Sequence, residues 1–329
     1  MTRTLYITEQ GSTLSRKGER LVVEKSGETL ADIPASKVVR VFVFGNVSLT
    51  TPAIAYLLKE GKDVAFLSNR GRYYGRLISS ESKGAALRRA QLRASDDLST
   101  CLELSKRFVM GKLKNQRRLL HRRPGPQTSS VAKEMTTMIE RIQGTGNLEV
   151  LRGVEGYTAR LYFGAFGSML EGMKFVGRRR RPPPDPVNSM LSLGYTMLTY
   201  EAFSAASAVG LDPYVGFFHK DTYGRPSLAL DIMEEFRPAV VDLIVLGAVN
   251  RGHIRHEDFE FDQEAGEPVA LLKQDSRKRF VGLYEHRMLT QINHRSRAMT
   301  YREALRTQAR QVVSSIKDHE LAYEPVLLS

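Results

Sequence analysis

The sequence predicts an α+β protein, with a small β-rich domain over residues 1–83 and a larger all-helical domain over 84–329. Three observations carry this expectation. Apolar residues alternate as in short strands through the first eighty positions, the period changes to that of helices from Gly84, and an excess of positive charge ends near residue 124.

In the first domain, strands are predicted at Thr4 to Ile7, Arg20 to Glu24, Thr29 to Ile33, Val38 to Phe44, Asp63 to Leu67 and Arg72 to Ile78. Turn-forming breaks separate them at Glu9-Gln10-Gly11, Ser26-Gly27 and Asn69-Arg70-Gly71, and the insert Pro52 to Leu58 has the spacing of one helix. Beyond Gly84, Leu98, Leu102, Val109, Leu113 and Leu120 recur at steps of four and seven. Arg88, Arg89, Arg93, Lys106, Lys112, Lys114, Arg117 and Arg118 fall mostly between them, so one long amphipathic helix with a basic face is expected up to Pro124-Gly125-Pro126. Further helices are predicted at 128–143, 147–173, 187–209, 227–236, 239–250 and 268–317. Between two of these lies Gly177-Arg178-Arg179-Arg180-Arg181-Pro182-Pro183-Pro184, where four like charges and three prolines oppose a helix and predict a mobile basic loop.

Composition narrows the function. The chain carries 49 Lys and Arg against 36 Asp and Glu, and residues 84–124 alone hold 11 basic and 3 acidic side chains. Such a stretch attracts a polyanion, and nucleic acid is the natural partner, although a solvated helix face has the same pattern. Cys101 is the only cysteine, which excludes an intramolecular disulfide and a thiolate zinc cluster and fits a reducing cytoplasm. No stretch approaches the roughly 20 apolar residues of a membrane span, and the start of the chain lacks a secretory apolar core, so a soluble cytoplasmic protein is expected.

Three side chains have the character of a metal site. In LRGVEGYTARLYFGAF, Glu155 shares a helical face with Leu151, Thr158, Ala159 and Tyr162, where an ionised carboxylate needs a partner; a glutamate at the edge of that stripe reaching water is the bland alternative. In SLALDIMEEFRP, Asp231, Glu234 and Glu235 crowd one helix face. Pro238 is expected to end that helix just beyond them, where the macrodipole disfavours negative charge unless a cation intervenes. His219 follows an aromatic pair and precedes this acidic run by fifteen residues. One imidazole with two carboxylates prefers Mn²⁺ or Mg²⁺ and suits phosphodiester chemistry. A non-haem iron triad would need a second histidine, and none is convincingly spaced.

In this order and behind a β-rich start, VEGYTARLYFGAF, RRRRPPPDPVNSMLSLGYTMLTY, GLDPYVGFFH and SLALDIMEEFRP resemble the CRISPR-associated integrase family, the first-numbered protein of the adaptation module. The resemblance runs to about Arg310. It implies that Glu155, His219 and Glu234 bind the metal and are catalytic, that Glu234 and not Glu235 takes the ligand position, and that Asp231 is an auxiliary acid. It further implies a homodimer formed through the β-rich domain, a small ferredoxin-like partner protein, and joining of the 3′ ends of a prespacer duplex into the CRISPR repeat. The opening LYITEQGSTLSRKGERLVV resembles a branch (type I-C-like) that works beside a separate iron–sulfur processing nuclease. Asn188 is expected either to hydrogen-bond near the site or to serve the start of its helix, and Tyr162 either to touch the scissile strand or to lie in the core. Arg178, Arg179, Arg180 and Arg181 are expected to contact DNA phosphates. Two other readings fit the same residues: a metal-dependent nuclease of branched DNA and a non-catalytic DNA-binding scaffold.

Overall fold

A computed structural model describes residues 3–77, 84–179, 182–264, 267–317 and 323–328. The chain divides into two compact units, Met1–Ser82 and Lys83–Ser329.

The first unit holds β1 (Arg3–Ile7), β2 (Thr13–Lys17), β3 (Arg20–Lys25), β4 (Glu28–Pro34), β5 (Val38–Phe44), β6 (Ser48–Leu49), α1 (Thr51–Lys59), β7 (Asp63–Leu67) and β8 (Tyr73–Leu77). They form two four-stranded sheets, in the orders β1-β5-β7-β8 and β4-β3-β2-β6. Leu5, Leu14, Leu21, Val41, Val43, Leu57 and Val64 unite both sheets and α1 in one apolar core. The strand β2 is absent from the sequence expectation because its alternating apolar signal is a single residue, Leu14, between Ser, Thr and charged positions. Part of the positive charge is internal, since Arg40 and Arg76 both pair with Asp63 at 3.2 Å.

The second unit contains α2 (Ala85–Asp96), α3 (Leu98–His121), α4 (Pro126–Gln143), α5 (Leu148–Ser168), α6 (Pro186–Ala208), α7 (Ser227–Met233) and α8 (Leu243–Asn250). These are followed by β9 (Phe259–Glu264), β10 (Glu267–Leu272), α9 (Gln274–Met288), β11 (Gln291–His294), β12 (Arg297–Thr300) and α10 (Tyr301–Lys317). The unit is largely helical but not all-helical: it holds two antiparallel hairpins, β9-β10 and β11-β12, and β10, β11 and β12 fall where helix was expected over 268–317. The second hairpin turns on Arg295 and Ser296, both at positive φ, so the glycine that ordinarily marks such a turn is missing from the sequence. The expected single helix over 84–124 is two, because Asp97 takes extended geometry and its carboxylate accepts from the Thr100 amide at 2.9 Å, starting α3 anew.

Pro238 does not end the acidic helix as expected. After α7 the chain makes a turn at Glu234 and Glu235, then a wide π-helical turn over Arg237–Asp242, and runs on into α8. Proline has no N–H to donate and its ring crowds the preceding turn, and the widened turn absorbs both defects without a break. Glu234 is thus held inside a continuing helical path, packed against α3 and α6, and not at a frayed terminus.

Among the described residues, no helix is long and apolar enough to cross a membrane.

Candidate active site

Four stretches of the second unit bring charge together: α3 with Lys112, α5 with Glu155, the loop with His219, and the turn with Glu234 and Arg237. Lys112 lies among the buried residues of α3, four residues after Phe108, and its side chain is only 5% exposed. It pairs with Glu155 Oε1 and lies 2.7 Å from Glu234 Oε2, so two carboxylates from different helices converge on one cation. Glu155 is 23% exposed and Glu234 2%, which places Glu155 at the mouth of the site and Glu234 at its floor.

Asp231 builds the histidine side. Its buried carboxylate accepts from the amides of Phe217 at 2.7 Å, Phe218 at 3.1 Å and His219 at 3.0 Å, and from His219 Nδ1 at 2.7 Å. With Nδ1 held by that carboxylate, the ring is turned so that Nε2 lies 3.7 Å from Glu234 Oε1. Gly216 permits this approach: a Cβ there would fall 2.7 Å from Ser227 Cβ and 3.0 Å from Asp231 Oδ2. From α5, one turn before Glu155, Arg152 donates to the Phe218 carbonyl at 3.1 and 2.8 Å and ties the histidine loop to the glutamate's helix.

Arg237 adds a second cation, with Nη1 3.4 Å from Glu234 Oε1 and its guanidinium over the Tyr195 ring. Burial opposes ionisation of Glu234, but Arg237, Lys112 and His219 outweigh it and hold the carboxyl down at about 2. Burial likewise opposes the charge on Lys112, and Glu155 and Glu234 reverse that and keep the ammonium above its ordinary value. The neighbouring Glu235 is the opposite case. Its carboxyl faces away, where burial pushes it up to about 8 against the hydrogen bonds from Gln308 and Tyr323.

The donor set suits a hard divalent cation: two carboxylates and one correctly oriented imidazole, already gathered about a positive charge. Among the described residues, no three His, Cys, Asp or Glu side chains stand close enough to grip an ion directly, because the Lys112 ammonium holds the point shared by the two carboxylates. That ammonium places one positive charge between the two carboxylates.

The structure therefore brings Glu155, His219, Asp231 and Glu234 together, and it separates the other candidates from them. Tyr162 is fully buried and donates to Asp242 at 2.7 Å, so it is a core residue and does not reach a strand lying in the site. Asn188 serves the helix start and the loop before it. Its amide donates to the Asp185 cap at 2.8 Å, and its side chain holds Arg178, the Arg179 amide and the Gly177 carbonyl. Arg178 is thereby turned inward, onto Asn188, Ser192 and the Tyr195 ring, and the Pro183 carbonyl accepts from Ala270 at 2.9 Å. The expected mobile loop is anchored on both flanks, because Asn188 and β10 supply partners that proline content alone does not reveal. Arg179 is exposed, whereas Arg180 and Arg181 lie outside the described residues.

Lys112 is expected only on the basic face of its helix and is instead buried, and Arg152 and Arg237 are absent from the sequence expectation. Only Lys112 left a signal, a lone cation four residues from Phe108 on the stripe that α3 buries, and it is masked by the ten other basic residues of 84–124.

A family model described as CRISPR associated protein Cas1 matches residues 5–286. The chain is 39% identical to the CRISPR-associated endonuclease Cas1 3 of Thermus thermophilus over 98% of this chain and 96% of that one. It is 37% identical to a Cas4 exonuclease/Cas1 endonuclease fusion of Geobacter sulfurreducens, over 97% of this chain and 59% of the fusion. Among solved structures, it superposes with a TM-score of 0.86 and 25% identity on a chain of a Cas6-RT-Cas1–Cas2 complex, spanning 100% of this chain and 36% of that longer one. With the match extending from β1 into α9 and taking in every residue of the charged cluster, the chain belongs to the CRISPR-associated Cas1 family.

Proposed function

We propose that this protein is a metal-dependent endonuclease/integrase of CRISPR adaptation, which joins the 3′-hydroxyl ends of prespacer DNA into the CRISPR repeat. The observation that carries the reading is the convergence of Glu155, Glu234 and His219 on one cation site in a chain of this family. The endonuclease names of the relatives support the phosphodiester chemistry, and the Cas1–Cas2 complex supports a Cas2 partner, whose small ferredoxin-like fold is part of the proposal. The fused Cas4 exonuclease of the Geobacter relative supports a separate nuclease working beside this chain, and the iron–sulfur type of that nuclease is part of the proposal. A homodimer through the β-rich unit completes the assembly.

Glu155, His219 and Glu234 would hold Mn²⁺ or Mg²⁺, which when bound stabilises charge on the reacting phosphoryl group and favours the ionised nucleophile. Asp231 fixes the imidazole so that Nε2 faces the shared site. Lys112 and Arg237 keep Glu234 ionised and offset the negative charge that a phosphate adds. In the joining step a prespacer 3′-oxygen bonds to a repeat phosphorus and the repeat 3′-oxygen leaves. The proton lost by the first oxygen ends on the second, so one phosphodiester replaces another. Arg179, Arg180 and Arg181 contribute phosphate contacts with little base preference.

The test supplies a prespacer duplex, a repeat-bearing plasmid and the small partner, with and without Mn²⁺. Covalent joining that requires the metal and is lost in Glu155→Ala, His219→Ala and Glu234→Ala is the expected result. Hydrolysis without joining would select the branched-DNA nuclease instead, and wild-type joining by all three variants would reduce the protein to a scaffold.

A further inference from the structure

The turn that carries Glu234 has a second side, and that side is occupied by a stretch remote in sequence. Residues Tyr323–Leu328 form no helix or strand, yet Tyr323, Val326 and Leu328 are each no more than 2% exposed. Polar side chains of α3 and α10 hold their backbone. Asn115 of α3, fully buried, donates to the Glu235 carbonyl at 2.7 Å and to the Val326 carbonyl at 2.8 Å, and its Oδ1 accepts from the Leu328 amide at 2.6 Å. Arg118, one turn further, donates to the Leu328 carbonyl. From α10, Gln308 bridges Glu235 Oε1 at 2.7 Å and the Glu324 carbonyl at 2.9 Å, while Gln311 Oε1 accepts from the Glu324 amide at 2.7 Å. Tyr323 donates to Glu235 Oε1 at 3.2 Å and sets its ring edge-on to Phe108, with centroids 4.8 Å apart.

These bonds run between two of the elements that must stay in register for the cation site. Phe108, Asn115 and Arg118 lie on the helix of Lys112, and Glu235 is the residue after Glu234. The fit is tightest at Gly111, the residue before Lys112, where a Cβ would fall 2.7 Å from Pro325 Cβ and 2.8 Å from Glu235 Oε2. A displacement of this segment therefore changes the spacing of α3 and the Glu234 turn, and with it the 2.7 Å pair of Lys112 and Glu234.

We propose that Tyr323–Leu328 is an intramolecular clasp, with Asn115 and Tyr323 as its positioning residues, that fixes Glu234 against α3 and so sets the geometry of the cation site. The inference rests on the catalytic reading above for its effect on rate, and on the hydrogen bonds alone for its effect on structure. None of the clasp residues needs to touch DNA.

The experiment compares the full chain, a chain ending at residue 322, and Asn115→Ala, each with and without the synthetic peptide YEPVLLS added in excess. Three readouts are taken: hydrogen exchange by mass spectrometry, Mn²⁺ affinity by calorimetry, and strand joining at saturating DNA. The shortened chain is expected to exchange faster at the amides of 108–116 and 232–237 while α4 and the first unit keep their protection. Its Mn²⁺ affinity is expected to fall about ten-fold, within the range found when groups that orient metal ligands are removed. Its maximal joining rate is expected to fall about ten-fold with the KM for DNA within about two-fold, and the peptide is expected to recover most of all three losses. Asn115→Ala gives the same pattern more weakly. Unchanged exchange at 232–237 in both variants overturns the clasp, and so does a general loss of protection that the peptide does not reverse. If Glu234→Ala joins DNA as the wild type does, the catalytic reading fails, and the exchange data still decide the clasp.

Discussion

Glu234 and Glu235 are adjacent, identical in chemistry and both buried, yet they lie in opposite surroundings. On one side Lys112, Arg237 and His219 hold the Glu234 carboxyl at about 2. On the other, burial without a cation lifts the Glu235 carboxyl to about 8, with Gln308 and Tyr323 as its hydrogen-bond donors. The first surrounding keeps a charge ready for a metal, and the second uses a carboxyl as a neutral hydrogen-bonding spacer. Position along the acidic run does not distinguish them; what α3 and α10 present to each face does.

The sharpest way to break that contrast is to neutralise each glutamate in turn. Glu234→Gln is expected to lower joining by about a thousand-fold, the scale of losing a charge that holds a catalytic cation, whereas Glu235→Gln stays within about three-fold of wild type. Single-turnover rates at saturating DNA measure both, and equal losses would erase the distinction. Next in size is Asp231→Ala, which strips four hydrogen bonds from the Phe217–His219 loop. A fall of about ten- to a hundred-fold in Mn²⁺ affinity is expected by calorimetry, because the imidazole loses the partner that sets its tautomer.

Removal of the internal cation tests the charged side alone. In chelator, Lys112→Met leaves Glu155 and Glu234 facing each other without it, and a loss of about 3 kcal/mol is expected in urea unfolding, as for a broken buried pair. Added Mn²⁺ should return more stability to Lys112→Met than it gives to wild type. A metal-independent loss would show that the two carboxylates do not share a cation site.

The last contrast concerns Glu235 and pH. Its folded-state pKa lies above the unfolded value, so the folded form binds that proton more tightly, and stability is lost as pH rises from about 4.5 towards 8. Glu235→Gln has no proton to lose. Its melting temperature, measured in chelator, should therefore gain on wild type between pH 5 and pH 8 and hold the gap above. A variant that loses ground to wild type as pH rises would place a cation beside Glu235 after all.

Much of this was legible in the sequence where local rules dominate. The alternation of β5 and β7, the helical runs that become α4 and α6, and the acidic character of the 231–235 run all follow from spacing. The trio Glu155, His219 and Glu234 emerged as candidates from burial cost and donor type, and the family pattern selected Glu234 over Glu235. What stayed hidden depends on contacts distant in the chain. Lys112 reads as one more cation on a basic helix until α5 and the Glu234 turn close over it, and Arg152 acts through a carbonyl 66 residues away. By its local rule Pro238 is a stop, whereas packing of the 237–250 stretch against α3, α6 and α9 favours a widened turn. The inward turn of Arg178 likewise depends on Asn188 and Tyr195, which no charge count foresees.

The central claim is that Glu155, His219 and Glu234 share one divalent cation. Crystals of the full chain soaked in Mn²⁺, with diffraction recorded at the manganese edge, test it most directly. The account predicts a single strong anomalous peak bounded by those three side chains, with the Lys112 ammonium withdrawn from at least one carboxylate. A peak at Asp231 or Glu235 instead, or none in the second unit while Lys112 still bridges Glu155 and Glu234, would contradict it.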